Sequence, residues 1–118
     1  MATYRDLLVW QKAMSLVIEV YQLSNLMPHE EKYGLVDQMK RAAVSIPSNI
    51  AEGQGRDSQN EFIRFLSIAQ GSRAELETQL EICSRLNYLS KENIKNAESL
   101  SEEIRKMIIA LQKSIKEK

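Results

Sequence analysis

The residue types that could support catalysis or metal binding are few in this chain. It has one histidine, His29, and one cysteine, Cys83. A zinc site of the Cys₂His₂ or His₃ type therefore cannot be assembled within one chain. A carboxylate-bridged di-metal site needs Glu-x-x-His pairs on two helices, and the residue three positions before His29 is Leu26. We therefore expect no metal site and no cofactor.

The cysteine, the paired glycines and the glutamates do not assemble into a recognisable catalytic set. Cys83 falls on an apolar helix face with no histidine nearby in sequence, whereas a reactive thiol needs an electropositive, partly exposed setting. The segment Gly53-Gln54-Gly55 is too short for a dinucleotide-binding fingerprint and is expected to end a helix. A hydrolase with Glu52 and Glu75 as paired carboxylates would lack a nucleophile and a positioning loop. The sequence thus predicts a protein that is not an enzyme.

Two rows of polar residues at helical spacing, one on the second helix and one on the third, are the feature that could form a binding surface. Polar groups this close to a core must be hydrogen-bonded, because a buried unpaired group costs about 1–3 kcal/mol. Two interpretations stay open: an internal network that sets helix register, or a surface for a ligand or partner. In either case Gly71 would let another backbone approach closely. The candidate residues are Gln38, Arg41, Ser45, Asn49, Glu52, Arg56, Ser72 and Glu75.

Apolar residues recur at three- and four-residue steps along the whole chain, which predicts four helices and no strand. The first helix should span about residues 7–24, and the second should begin near Glu30. The third should begin at a capping box formed by Ser58 and Glu61, and the fourth should run from Ser90 to residue 113 or beyond. Pro47 lies inside the second helix and should kink it.

The short links between these helices favour an up-down-up-down order. The chain has 118 residues and no composition shift that would mark a linker, which is the size of one domain. The sequence therefore predicts a single domain over residues 1–118, of the all-α class, built as a four-helix bundle.

The first helix carries two apolar rows, one more than a bundle core requires. One row contains Leu7, Trp10, Met14, Val17 and Tyr21, and the other contains Val9, Ala13, Leu16, Val20 and Leu23. The two rows lie about 100° apart around the helix. If the first row serves the core, the second is left for self-association. The candidate oligomer interface is therefore Val9, Leu16, Val20 and Leu23.

Net charge and hydropathy bear on the cellular location of the protein and on the kind of partner that it can bind. Sixteen Lys and Arg balance sixteen Asp and Glu, so the net charge is zero, which argues against a strong non-specific grip on nucleic acid. A nucleic-acid surface would have to be a local patch of Lys40, Arg41, Arg56 and Arg64. No stretch approaches the roughly 18 apolar residues of a membrane span, and the first residues do not resemble a signal peptide. We expect a cytoplasmic protein without a membrane partner.

Several strings carry a family resemblance over about residues 4–90. The specific one is Asn49-Ile-Ala-Glu52-Gly53-x-Gly55-Arg56, and the match also includes Leu7-Leu-Val-Trp10-Gln11, Arg41-Ala-Ala43 and Gly71-Ser72. In these strings the sequence resembles the four-helix-bundle proteins encoded in intervening sequences of bacterial 23S ribosomal RNA genes. The resemblance implies a four-helix bundle that assembles as a homopentameric ring, with no known catalytic activity. The related accessory variability proteins of retroelements bind a reverse transcriptase and nucleic acid through a strongly basic surface, whereas this chain is neutral.

These features together predict a cytoplasmic, non-enzymatic interaction or scaffold protein that assembles as a homo-oligomer, a pentamer by the resemblance. The alternative is an RNA- or nucleoprotein-binding module that uses the local basic patch. A ring would repeat a weak patch several times, so avidity could compensate for the low net charge.

Overall fold

The computed structural model describes residues 2–118 and consists of helices joined by short links. The four α-helices are α1 (Leu8–Ser24), α2 (Leu35–Gln54), α3 (Gln59–Arg85) and α4 (Lys91–Lys116), and short 3₁₀ turns lie at Tyr4–Asp6 and His29–Glu31. Over residues 2–118 there is no strand, so the predicted all-α class is confirmed. Within the same residues, no helix is both long enough and apolar enough to cross a membrane.

The starts of α3 and α4 are set by serine caps. Ser58 Oγ accepts a hydrogen bond from the Glu61 backbone N–H, and Ser90 Oγ accepts one from the Asn93 N–H. Asn93 Oδ1 in turn accepts from the Ser90 N–H, which completes a capping box at α4. The predicted reciprocal bond at α3 is replaced by an ion pair, because the Glu61 carboxylate accepts from the Arg64 guanidinium. Both predicted caps are therefore confirmed, but only α4 has the two-way bond.

The start of α2 differs from the prediction. The sequence places it near Glu30, whereas the helix begins at Leu35 after the 3₁₀ turn at His29–Glu31. The Glu31 carboxylate accepts from the Leu35 N–H at 3.4 Å, and its other oxygen accepts from the Tyr88 hydroxyl at 3.0 Å. Glu31 therefore caps α2 from outside the helix and ties the α1–α2 link to the α3–α4 link.

Each helix packs against two others: α1 contacts α2 and α4, and α3 contacts α2 and α4. The result is an elongated bundle of 47 × 23 × 22 Å around one apolar core. Ser45 of α2 contacts Ser72 of α3, and Gly53 of α2 lies close to Phe62 of α3. These two helices are therefore antiparallel. The up-down-up-down order of all four helices and a kink at Pro47 stay predictions.

The more deeply buried of the two apolar rows of α1 is not the one predicted to face the core. The residues predicted as an oligomer interface are at most 5% exposed and belong to the core of the single chain: Val9, Leu16, Val20 and Leu23. The row predicted to face the core is the less buried one, with Met14 38% and Tyr21 44% exposed, although Leu7, Trp10 and Val17 still pack against the edge of the core. The interface assignment of those four residues is therefore wrong, and the surplus apolar face of α1 is the other row.

Side-chain size explains this exchange. The inward row consists of compact Val, Ala and Leu side chains, which fill the narrow space between close-packed helices. The outward row includes Trp10 and Tyr21, whose large rings carry a polar atom that prefers contact with water. Periodicity detects both rows equally well and does not rank them.

Gly53 lies inside α2 and does not act as a left-handed helix stop. No glycine in residues 2–118 has a positive φ. A Cβ at Gly53 would lie 2.6 Å from Phe65 Cβ and 3.1 Å from Phe62 Cδ1. The helix ends one residue later, at Gln54, as the sequence predicts. Gly53 is therefore needed for the close approach of α2 and α3.

Candidate functional site

Three of the candidate polar residues meet at the junction between α2 and α3. Ser45 Oγ and Ser72 Oγ lie 2.8 Å apart. Asn49 Nδ2 donates to the Ser45 carbonyl oxygen at 2.8 Å and to Ser45 Oγ at 2.9 Å. All three residues are half-buried. For these three residues the structure supports the internal network, which links the two helices by directional bonds.

The other five candidates do not join this network. Gln38, Arg41, Glu52, Arg56 and Glu75 are all exposed. Arg41 pairs with Asp37 at 2.9 Å, and Arg56 pairs with Glu52 at 2.6 Å. Such exposed pairs within one helix contribute little to stability.

Glu52 and Glu75 do not form a carboxylate pair. Glu52 lies next to Gly53, which contacts Phe65 on α3. Glu75 lies ten positions further along α3, which is about 15 Å at 1.5 Å per residue. The arrangement of paired carboxylates that a hydrolase would need is therefore not assembled.

Two of the basic-patch candidates lie on one aromatic ring. The guanidinium carbons of Arg56 and Arg64 lie 5.0 and 4.6 Å from the centroid of the Phe65 ring. The hydrogen bond from Arg64 holds the pKa of the Glu61 carboxyl below its usual value, because the bond stabilises the ionised form. Both arginines are thus paired with carboxylates of their own helices.

The other two candidates lie at the α1–α2 side of the molecule. Lys40 Nζ lies 4.7 Å from the centroid of the Tyr21 ring, and Arg41 is the partner of Asp37. Three of the four predicted cations therefore have an acidic partner within the chain. This reduces the positive charge that the patch can offer to phosphates.

A buried arginine between α3 and α4 was not among the candidates from the sequence. Arg73 is 7% exposed. Its Nε donates to Gln70 Oε1 at 2.6 Å, and its Nη1 contacts Ser101 Oγ at 3.2 Å and forms an ion pair with Glu77. Ser101 also donates to Glu77 at 2.9 Å. The sequence does hold a signal for this cluster, because Arg73 interrupts the inward apolar spacing of α3.

A surface groove of about 540 Å³ opens beside this cluster, lined by Arg73, Ala74, Glu77, Thr78, Glu81, Ile82, Arg85 and Glu98. Its two arginines are paired with Glu77 and Glu81. Across residues 2–118 no group of His, Cys, Asp and Glu side chains is arranged to hold a metal ion. The polar groups of this groove therefore act mainly on one another.

Cys83 is fully buried, as the sequence predicts. Its thiol lies 3.5 Å from the Met39 sulfur. Burial, together with the charge of Glu31, raises the pKa of the thiol to about 11. A thiol that stays protonated at neutral pH is a poor nucleophile, so Cys83 functions as a core residue.

A surface with apolar and charged side chains runs along the groove between α1 and α2. It comprises two adjoining grooves of about 250 and 450 Å³ that share Val44. Tyr4 stacks edge-on against Trp10 at one end, with ring centroids 5.3 Å apart, and Lys40 covers Tyr21 at the other. We call the apolar part of this surface the α1–α2 strip, formed by Trp10, Met14, Val17, Tyr21, Val44, Pro47 and Ala51. The same grooves are also lined by polar and charged residues: Tyr4, Asp37, Lys40, Arg41, Ser45 and Ser48.

The fold and these surfaces define an all-α four-helix bundle with bonded polar junctions and an exposed apolar strip. The sequence model of the 23S rRNA-intervening sequence protein family matches residues 5–110. The chain therefore belongs to this family, and the resemblance seen in the sequence is confirmed.

Comparison with solved structures shows the same fold in a related protein. The chain is similar to a protein of unknown function from the S23 ribosomal protein family of Bacteroides thetaiotaomicron VPI-5482, for which a crystal structure exists. The two share 29% sequence identity with a TM-score of 0.83, over 90% of this chain and 99% of the other. A search of curated proteins finds no match.

Proposed function

We propose that this protein is a non-enzymatic interaction or scaffold protein that assembles with copies of itself in the cytoplasm. The observation that supports self-association is the α1–α2 strip. Three large apolar side chains on this strip, Met14, Tyr21 and Val44, are exposed to solvent, and neighbouring exposed apolar side chains favour an interaction surface. The family resemblance adds the expectation of a ring of five subunits.

Covering the strip supplies part of the driving force for assembly. Met14, Tyr21 and Val44 are between 38% and 44% exposed. Complete burial of an exposed side chain of this size contributes about 1.5–3 kcal/mol, so each half-exposed one contributes on the order of 1 kcal/mol when it is covered. Several such side chains in one continuous surface give a contact that can offset part of the entropy of association.

Light scattering coupled to size-exclusion chromatography tests self-association directly. At micromolar concentration we expect a mass several times the 13.5 kDa of one chain, and five times that mass if the ring is a pentamer. A particle with the mass of one chain contradicts the proposal.

A pair of matched variants tests the role of the strip. Met14→Glu places a charge on the strip and is expected to dissociate the assembly without unfolding the chain. Ile109→Glu places the same charge at a comparably exposed apolar position on α4, and it should leave assembly intact. Equal effects of the two substitutions would contradict a role for the strip.

The alternative function is RNA or nucleoprotein binding through the basic patch. The arrangement that favours it is the pair of guanidinium groups, of Arg56 and Arg64, that lie over the Phe65 ring, because guanidinium planes stack on unpaired bases. A gel-shift titration with single-stranded RNA at several salt concentrations tests it. Each phosphate contact should lower log K by about 0.7 per tenfold increase in salt. Binding that is insensitive to salt, or unchanged in Arg56→Ala and Arg64→Ala, would argue against this alternative.

A further inference from the structure

Gly71 is an exposed glycine in the interior of α3. A glycine at such a position destabilises a helix relative to alanine. A Cβ added at Gly71 would meet no atom within 4 Å, and the residue does not have a positive φ. At Gly53, by contrast, Phe65 leaves no room for a Cβ. Within residues 2–118, therefore, no contact accounts for the missing side chain at Gly71.

Gly71 lies on an outward face of α3 that also carries apolar and acidic side chains. Ile68, Gly71, Glu75 and Ile82 are separated by three, four and seven positions, which places them on the same side of the helix. Ile68 and Ile82 are large exposed apolar residues. Glu75 forms no ion pair with any other residue in the range 2–118. We call this face the α3 ridge, formed by Ile68, Gly71, Glu75 and Ile82.

The α2 side of the α1–α2 strip has the complementary pattern. Lys40, Val44 and Pro47 are separated by four and three positions. On the ridge, Glu75, Gly71 and Ile68 are separated by the same intervals in the reverse direction. Because both elements are helices with 1.5 Å rise per residue, the two sets match over about 10 Å. Among the described ion pairs Lys40 has no carboxylate partner and contacts the Tyr21 ring instead.

Resting on the proposed self-association, we infer that the α3 ridge of one copy docks into the α1–α2 strip of the next copy, with α3 antiparallel to α2. Glu75 then lies beside Lys40, and the exposed Val44 side chain occupies the space left open at Gly71. Ile68 reaches the floor of the strip at Pro47.

This contact explains three separate features of the chain. It accounts for the absence of a side chain at Gly71 and covers the apolar strip. It also pairs the Glu75 carboxylate with the Lys40 ammonium group. Complementary charges of this kind set the register of a contact. The contact joins two different surfaces, so it adds copies head to tail and yields a closed ring where the rotation between copies allows closure.

Substituting Gly71 by alanine tests the docking because the two states of the chain should respond in opposite ways. In the dissociated monomer the new Cβ meets nothing, so Gly71→Ala should raise the urea midpoint measured at a dilution where the protein is monomeric. In the assembly the same Cβ meets Val44 of the next copy, so the dissociation constant should rise at least tenfold. The control is Ser99→Ala, an exposed position on α4 that should leave the dissociation constant unchanged.

Charge exchange tests the register. Glu75→Lys and Lys40→Glu should each weaken assembly by about tenfold in sedimentation experiments, and the double variant should restore it to within threefold of the original chain. The control is Lys95→Glu on the exposed face of α4, which should have no effect.

The outcomes separate the docking from the proposed function. If the unmodified chain is monomeric at micromolar concentration, both fail. If it assembles but Gly71→Ala assembles equally well, or the double charge variant is no better than the single ones, the docking is wrong and self-association stands.

Discussion

At Gly53 the backbone of α2 is in direct contact with a side chain of α3. Gly53→Ala would bring two Cβ atoms to 2.6 Å, that of the new alanine and that of Phe65. Neither atom can swing away, because each is fixed by its own helix backbone. We expect the free energy of unfolding to fall by about 1–3 kcal/mol even though alanine favours helix. Urea denaturation measures this change.

Gly71→Ala is the control variant for Gly53→Ala. Gly71→Ala adds the same methyl group to a helix interior with no neighbour within 4 Å, so the monomer should gain about 0.5–1 kcal/mol. If both alanine variants were stabilised, the close approach of α2 and α3 would not depend on glycine.

The Cys83 thiol makes the stability of the protein depend on alkaline pH. Its pKa is raised by burial from 9.0 in the unfolded chain to about 11 in the folded one. Between these values the unfolded chain has released the proton and the folded chain still holds it. The contribution of the protonated thiol to the free energy of unfolding is therefore fully present below pH 9. It falls as pH rises toward 11, by up to about 1.4 kcal/mol per pH unit.

Cys83→Ala provides the reference for this pH dependence. The variant loses stability at all pH values because it leaves a small cavity, but the part of the alkaline slope that belongs to the thiol should disappear. Chemical denaturation at pH 8, 9 and 10 compares the two chains. Parallel curves would mean that the thiol ionises equally in both states.

Among the helices, α1 shows how far periodicity can assign structure and where it stops. Its 3.6-residue pattern locates the helix to within one residue, from Leu8 to Ser24. Both of its rows are apolar, so only the packing of α2 and α4 decides which one is buried. The start of α2 was predicted too early because the sequence allows two roles for Glu31. Glu31 could begin a helix or cap one from outside, and the hydrogen bond from Tyr88, 57 positions away, favours the second.

The corrected orientation of α1 changes what a charge at Leu16 should do. Leu16 is fully buried in the core, so Leu16→Glu places a carboxylate where it has no water and no partner. We expect a loss of more than about 4 kcal/mol, which is a large part of the roughly 5–15 kcal/mol that keeps a domain folded. Circular dichroism should show the loss of helix, whereas Met14→Glu on the outward row should keep a native spectrum. A Leu16→Glu chain as stable as the original would contradict this orientation of α1.

Part of the candidate site could also be predicted from the spacing of residues in the sequence. Spacing within one helix identified Ser45, Asn49 and Ser72, since each belongs to a polar row beside the core. It did not identify the cluster of Arg73 and Ser101, because its bonds connect α3 to α4 across 28 positions. Contacts between distant segments depend on the arrangement of the helices, which the pattern of one helix does not contain.

For the whole molecule, zero net charge and an exposed apolar strip together favour association. If folding and assembly are linked as proposed, the melting temperature should rise with protein concentration, because mass action stabilises the associated folded state. Calorimetry over a hundredfold range of concentration measures this. Met14→Glu should remove the dependence, and a melting temperature that is constant for the unmodified chain would argue against linked assembly.

The exposed Met14 gives the strip a chemical vulnerability. An oxidant converts a methionine thioether to a sulfoxide, a polar group that disrupts apolar contacts. Met39 is fully enclosed by the core and is shielded by the fold itself, whereas Met14 is shielded only while another surface lies on it. The extent of Met14 oxidation relative to Met39 oxidation therefore measures the fraction of the protein in which the strip is covered. Subunits with an oxidised Met14 should reassociate poorly.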